Sequence, residues 1–157
     1  MNKGAYISQD GLYRYTLWRD WSNGKDTRAV AFVGLNPSTA DAEKDDPTIR
    51  RCIGFAQSWG FNKLIMVNLF AFRATNPKEM MKAEDPEGPE NKAVIKALVG
   101  HADVVIAAWG THGDFRDQGS IYVSMLDNPY HLGLTKDGHP KHPLYLRSDA
   151  RPQPFGV

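Results

Sequence analysis

At 157 residues, 41% of them apolar and 24% charged, the chain has the composition of one ordinary globular domain and not of a disordered segment. No stretch approaches the roughly 18 apolar residues that a membrane span needs, and a formal net charge of +1 argues against tight, sequence-blind binding to a nucleic-acid backbone while leaving room for a local basic patch. The single cysteine, Cys52, admits neither an internal disulfide nor a cysteine-rich metal site, and the opening MNKGAYISQDG holds no apolar leader-like run, so the expected setting is a reducing cytoplasm.

In chain order, the alternating aromatic stretch 11–18 (GLYRYTLW) predicts a strand. Asn23-Gly24 is a hairpin turn signal, and the apolar run 28–35 (RAVAFVGL) predicts a buried strand, so these two strands are expected to pair antiparallel. Asn36-Pro37 then breaks the strand, because proline cannot donate to a sheet ladder. A helix is expected over 47–59, with Asp46 as N-cap, Pro47 in the first turn, and Ile49, Cys52, Ile53 and Ala56 on its apolar face. Buried strands follow at 63–69 (KLIMVNL) and 103–109 (DVVIAAW), with a helix over 90–99 between them. A further helix is expected over 115–127 and a short strand near 130–134. Buried strands alternating with helices imply a single α/β domain over 1–157: a three-layer sandwich with a mainly parallel central sheet and an N-terminal antiparallel hairpin.

In such sheets ligands bind beyond the carboxyl ends of the strands, and the unusual polar residues gather at those ends. Gly34 allows close backbone approach, and Asn36 offers one acceptor and two donors, either to a water or ligand or to its own turn. The acidic run Asp41, Glu43, Asp45 and Asp46 reads as a solvated loop with helix caps before it reads as a magnesium site, and no metal is expected. Arg50 and Arg51 either pair with these acids or hold a phosphate. Asn68 is the odd residue in an apolar strand, where it either reads a ligand edge or is satisfied by backbone. Phe55, Phe70 and Phe72 are stacking candidates or core, Arg73 is a plausible phosphate contact, and Trp109 closes the third buried strand. Toward the C-terminus, His139-Pro140 and His142-Pro143 each hold an imidazole beside a rigid proline. Lys136, Lys141, Arg147 and Arg151 make this the one locally basic stretch.

With these segments in view, GLNPSTAD, DDPTIRRCIGFA, VNLFAFRAT, DPEGPEN, AWG and TKDGHPKHPLYL resemble, over nearly the whole chain, a bacterial and phage family known as a domain of unknown function. The motif order is also similar to that of the uracil-DNA glycosylase superfamily, whose fold is a parallel-sheet α/β sandwich. Gly34-Leu35-Asn36-Pro37 looks like that superfamily's loop in its Asn form, in which the Asn positions the attacking water. Asn68 resembles the strand-end Asn that reads the pyrimidine edge, and Trp109-Gly110 the Trp-Gly after its next strand. His142-Pro143-Leu144 resembles the loop whose His hydrogen-bonds the pyrimidine carbonyl, with His139-Pro140 as competitor.

The resemblance implies an N-glycosidic hydrolase acting on DNA or on a nucleoside or nucleotide. Asn36 and His142 would be the catalytic pair. Gly34, Pro37, Ser38, Asn68 and Phe70 are ligand contacts in this reading, together with Arg73, Trp109, His139 and Tyr145. Arg50, Arg51, Lys141 and Arg147 would face phosphate. No cofactor is expected, and the iron–sulfur branches of the superfamily are excluded by the single cysteine. The alternative is a catalytically silent nucleotide- or nucleic-acid-binding module on the same fold.

Overall fold

The computed structural model describes residues 1–155. Among these, one seven-stranded sheet takes the order β1-β2-β4-β3-β5-β6-β7. The strands are β1 (Asn2–Ile7), β2 (Arg14–Asp20), β3 (Ala29–Gly34), β4 (Lys63–Asn68), β5 (Val104–Ala107), β6 (Tyr130–His131) and β7 (Gln153–Pro154). Four α-helices accompany them: α1 (Pro47–Ser58), α2 (Pro77–Met81), α3 (Asn91–Val99) and α4 (Gln118–Met125). No helix among the described residues is long and apolar enough to cross a membrane.

The central strands form where the sequence runs apolar, because both of their faces are covered. Every position of β3 is buried. One face of β3 and β4, with Ala31, Val33, Ile65 and Val67, packs with Ile95 of α3 and Tyr122 of α4. The other face, with Val30, Phe32, Leu64 and Met66, packs with Ile49, Cys52, Phe55 and Ala56 of α1. Helices therefore cover both faces of the sheet. Asp46 caps α1 as its sequence predicts, accepting from the backbone N–H of Ile49 at 2.9 Å.

Three expectations are corrected. The sheet is mixed: β4, β3, β5 and β6 run parallel to one another, but β1–β2, β2–β4 and β6–β7 pair antiparallel. The N-terminal hairpin is β1–β2, not a pair made of 11–18 and 28–35, because β4 inserts between β2 and β3. The Asn23-Gly24 turn does form, with both residues at positive φ and Lys25 N–H donating to Ser22 O at 3.1 Å. It turns the chain without pairing its flanks, since four apolar register pairs between β3 and β4, from Val30 with Leu64 to Val33 with Val67, outweigh one good turn. The helix expected over 115–127 begins only at Gln118, since Arg116 and Asp117 adopt left-handed backbone and a 3-10 segment, Thr111–Asp117, precedes it.

Candidate functional site

The carboxyl ends of β4, β3, β5 and β6 share one rim, and the chain leaving each of them adds a wall to a cleft. The parallel register puts Gly34 opposite Asn68. A side chain at Gly34 would begin 2.7 Å from the Asn68 carboxamide oxygen, so only glycine leaves that amide its place. Beyond β5, Gly110 takes a positive φ of 76° and donates to Pro140 O at 2.8 Å, which brings the His139–His142 segment against the rim. Arg51 of α1 donates to Pro143 O at 3.3 Å and to Leu146 O and lies over the Phe55 ring, fixing the same segment from the other side.

The cleft has two parts. An open crevice of about 620 Å³ is lined by Asn36, Ser38, Trp109, His112, His142 and Tyr145, among others. Beneath it lies a small niche of about 40 Å³, walled by Arg14, Gly34, Pro37, Asn68 and Pro143. Asn36, Ser38, Asp46, Thr48 and His142 border both.

The orientation of Asn36 is fixed by its neighbours. Its amide nitrogen donates to Ala74 O at 2.8 Å and to Pro37 O at 3.2 Å. Both N–H groups are therefore used, and the carboxamide oxygen is left as a free, oriented acceptor. His142 is held as firmly. Its Nδ1 accepts from the Leu144 backbone N–H at 3.2 Å, capping the single 3-10 turn Pro143–Tyr145. A neutral imidazole that accepts at Nδ1 carries its proton on Nε2 and is a donor there. Burial lowers the His142 pKa, opposed by the charge of Asp46, and favours this neutral form. Asn68, 3% exposed, has no partner for its amide nitrogen among the described residues, while its backbone carbonyl accepts from Asn91 Nδ2 at 2.8 Å. Gln118 of α4 and Asn91 both donate to the next carbonyl, Leu69 O, so helices from behind the sheet hold the end of β4.

The other candidates fall in different places. Phe70 is core, tilted against Phe115 at 5.4 Å, and Phe55 stacks on Trp59, so neither reaches the cleft. Phe72 packs edge-on against Tyr13. Trp109 borders the crevice but is 2% exposed with its indole packed on Gly113 and Gly119, so the open aromatic face there is Tyr145, 83% exposed and 5.9 Å from the His142 ring. His139 lies apart, in a separate pocket with Asp114 and Asp117. Arg73 reaches Gly11 O at 3.4 Å, Arg50 reaches Asp45 O at 3.3 Å, and Arg147 pairs with Asp149 at 3.2 Å. Lys141 packs beside Gly133. None of Arg50, Arg51, Arg73, Lys141 and Arg147 borders the cleft. The acidic run is consumed locally: Asp41 accepts from the Glu43 and Lys44 N–H groups, Asp45 pairs with Arg19, and Asp46 caps α1. Among the described residues no three His, Cys, Asp or Glu side chains gather closely enough to share an ion.

Arg14 is the site residue that the sequence pattern hides. In GLYRYTLW it reads as the solvent-facing member of an alternating strand, yet it is 2% exposed and walls the niche.

These features define an α/β protein with a polar cleft at the carboxyl rim of its parallel strands. The chain belongs to the family described as "Protein of unknown function (DUF1643)", whose profile matches residues 14–144. No curated protein and no solved structure matches it.

Proposed function

We propose that this protein is an N-glycosidic hydrolase that releases a nucleobase from DNA or from a nucleoside or nucleotide, on a scaffold like that of the uracil-DNA glycosylases. The observation that carries the reading is the locked Asn36 amide. Asn36 lines the same cleft as His142, whose Nδ1 is taken by the Leu144 N–H so that the neutral ring keeps its proton on Nε2. In this mechanism Asn36 Oδ1 accepts a hydrogen bond from a water and aims it at the anomeric carbon. The water oxygen bonds to that carbon, the glycosidic electron pair leaves with the base, and the proton lost by water ends on the base. His142 Nε2–H donates to the base carbonyl on which charge builds, which is where a fixed donor lowers the barrier most. Asn68 pairs with the base edge, and Tyr145 supplies the aromatic face. A base inside a duplex would first be flipped from its stack.

Asn36 orients water but cannot take its proton. That chemistry favours the second reading, a silent nucleotide- or nucleic-acid-binding module. Binding and release measured separately on a uracil-containing single-stranded oligonucleotide discriminate the two. For the hydrolase, Asn36→Ala keeps its affinity and loses base release. Affinity in the wild type with no release in either protein identifies the module.

A further inference from the structure

Strand β2 carries two buried arginines, and they are treated oppositely by their surroundings. Arg19, 0% exposed, pairs with Asp45 at 2.8 Å. Its remaining donors reach the carbonyls of Gly4, Trp18, Asp41, Ala42 and Lys44. It is a structural group with every donor used. Arg14 donates once, to Ala40 O at 3.1 Å, makes no ion pair among the described residues, and leaves Nε without a partner. A buried guanidinium in this state is costly, and its persistence calls for a counter-charge from elsewhere. Asn68, which walls the same niche, also has an amide nitrogen without a partner among the described residues. Arg14 and Asn68 thus wall the same space of about 40 Å³, and each keeps one buried, unused donor.

We propose that Arg14 is a ligand-binding residue whose guanidinium, with the Asn68 amide, receives a planar oxyanion of the substrate. The size of the niche sets the class. It admits a small planar group such as a carboxylate or the oxygen edge of a base in its anionic form. The flat guanidinium fork matches such a planar group, as an ammonium would not. Desolvation lowers the Arg14 pKa to about 10, so the group stays charged at neutral pH. Asp46 and Asp41 support that charge, and Arg73 and Arg19 oppose it. Asp46 borders the same niche but is engaged as the α1 cap. The base-oxyanion source rests on the hydrolase reading, because a departing base gains charge on its oxygens. Anion binding itself does not rest on it.

The test compares barbiturate, an anionic pyrimidine, with neutral uracil of nearly the same shape by titration calorimetry, adding acetate as competitor. Wild type is expected to prefer barbiturate, and Arg14→Met to bind it about 10- to 100-fold more weakly with uracil affinity changed little. Competition by acetate assigns the oxyanion to a carboxylate, and its absence assigns it to the base itself. Arg14→Lys is the second variant, should Arg14→Met fail to fold. It keeps the charge but not the fork, and a drop of about tenfold is expected. Equal barbiturate affinity in wild type and variant, or no binding of any anion, overturns the proposal. Anion binding that depends on Arg14 without any base release fails the hydrolase reading alone. Base release with no such binding fails this proposal alone.

Discussion

Replacing each buried arginine of β2 by methionine should move stability in opposite directions. For Arg19→Met, removing one partner of a buried ion pair costs about 3–5 kcal/mol. The Asp45 side chain is 24% exposed and reaches water, which holds the loss near the lower end. Five carbonyls that lose a donor raise it again. A total near 4 kcal/mol lowers Tm by roughly 8–16 °C for a chain of this size. Arg14→Met has a different sign. Keeping a guanidinium charged where desolvation pulls its pKa down to about 10 costs on the order of 3 kcal/mol. Methionine removes that cost and retains most of the side-chain volume, while the lost bond to Ala40 O takes back about 1 kcal/mol. The net gain of about 1–2 kcal/mol raises Tm by roughly 2–8 °C. Below pH about 10, Arg14 is protonated in both the folded and the unfolded chain, so the gain is flat there and closes only as the pH rises past that value. Thermal unfolding by calorimetry of the ligand-free protein reads both variants. An Arg14→Met loss comparable to that of Arg19→Met would show that Arg14 holds the fold together and would refute the contrast drawn between them.

Further outcomes are expected at three sites. Gly34→Ala places a methyl 2.7 Å from the Asn68 amide oxygen and should leave Tm nearly unchanged, while titration calorimetry shows barbiturate affinity falling about 5- to 100-fold. The burial that lowers the His142 pKa puts the acid limb of the pH–rate profile below the free imidazole value of about 6.5, and His142→Gln removes that limb. In the same window the unfolded chain takes the proton first, so thermal stability weakens as the pH falls through it and levels off below the folded-state pKa. Cys52 is fully buried and its thiol pKa is raised by desolvation, so a maleimide should label it only at the rate of unfolding. Fast labelling in native buffer would contradict the packing described for α1.

The parts of the fold legible in the sequence are those in which one residue pattern has one physical outcome. RAVAFVGL, KLIMVNL and DVVIAAW each hold an unbroken run of four or more apolar residues, and they form the strands covered on both faces. Asp46-Pro47 marks a helix start because cap and φ restriction act locally. Strand β1 has a single buried position, and NKGAYI carries no alternation to detect. The place of β4 between β2 and β3 is a long-range choice that Asn23-Gly24 does not determine. The site divides along the same line. Asn36, Asn68 and His142 stand out locally, as an Asn-Pro after a strand, a lone Asn in an apolar run, and a His before Pro. Phe70 is equally conspicuous, but Phe115 covers it from a distant segment. Arg14 and Arg19 look alike as letters. What separates them is the loop 41–45, whose carbonyls surround one and leave the other facing the niche.

The most direct test of the central claim is base release in heavy-oxygen water. Purified protein is incubated with single- and double-stranded oligonucleotides carrying uracil, hydroxymethyluracil or mismatched thymine, and with free nucleosides. Mass spectrometry then follows both products, with Asn36→Ala as control. The account predicts free base from at least one substrate, one heavy oxygen on the anomeric carbon of its sugar, and neither product from Asn36→Ala. Measurable binding with no free base from any substrate would contradict hydrolysis at this site and leave a binding module.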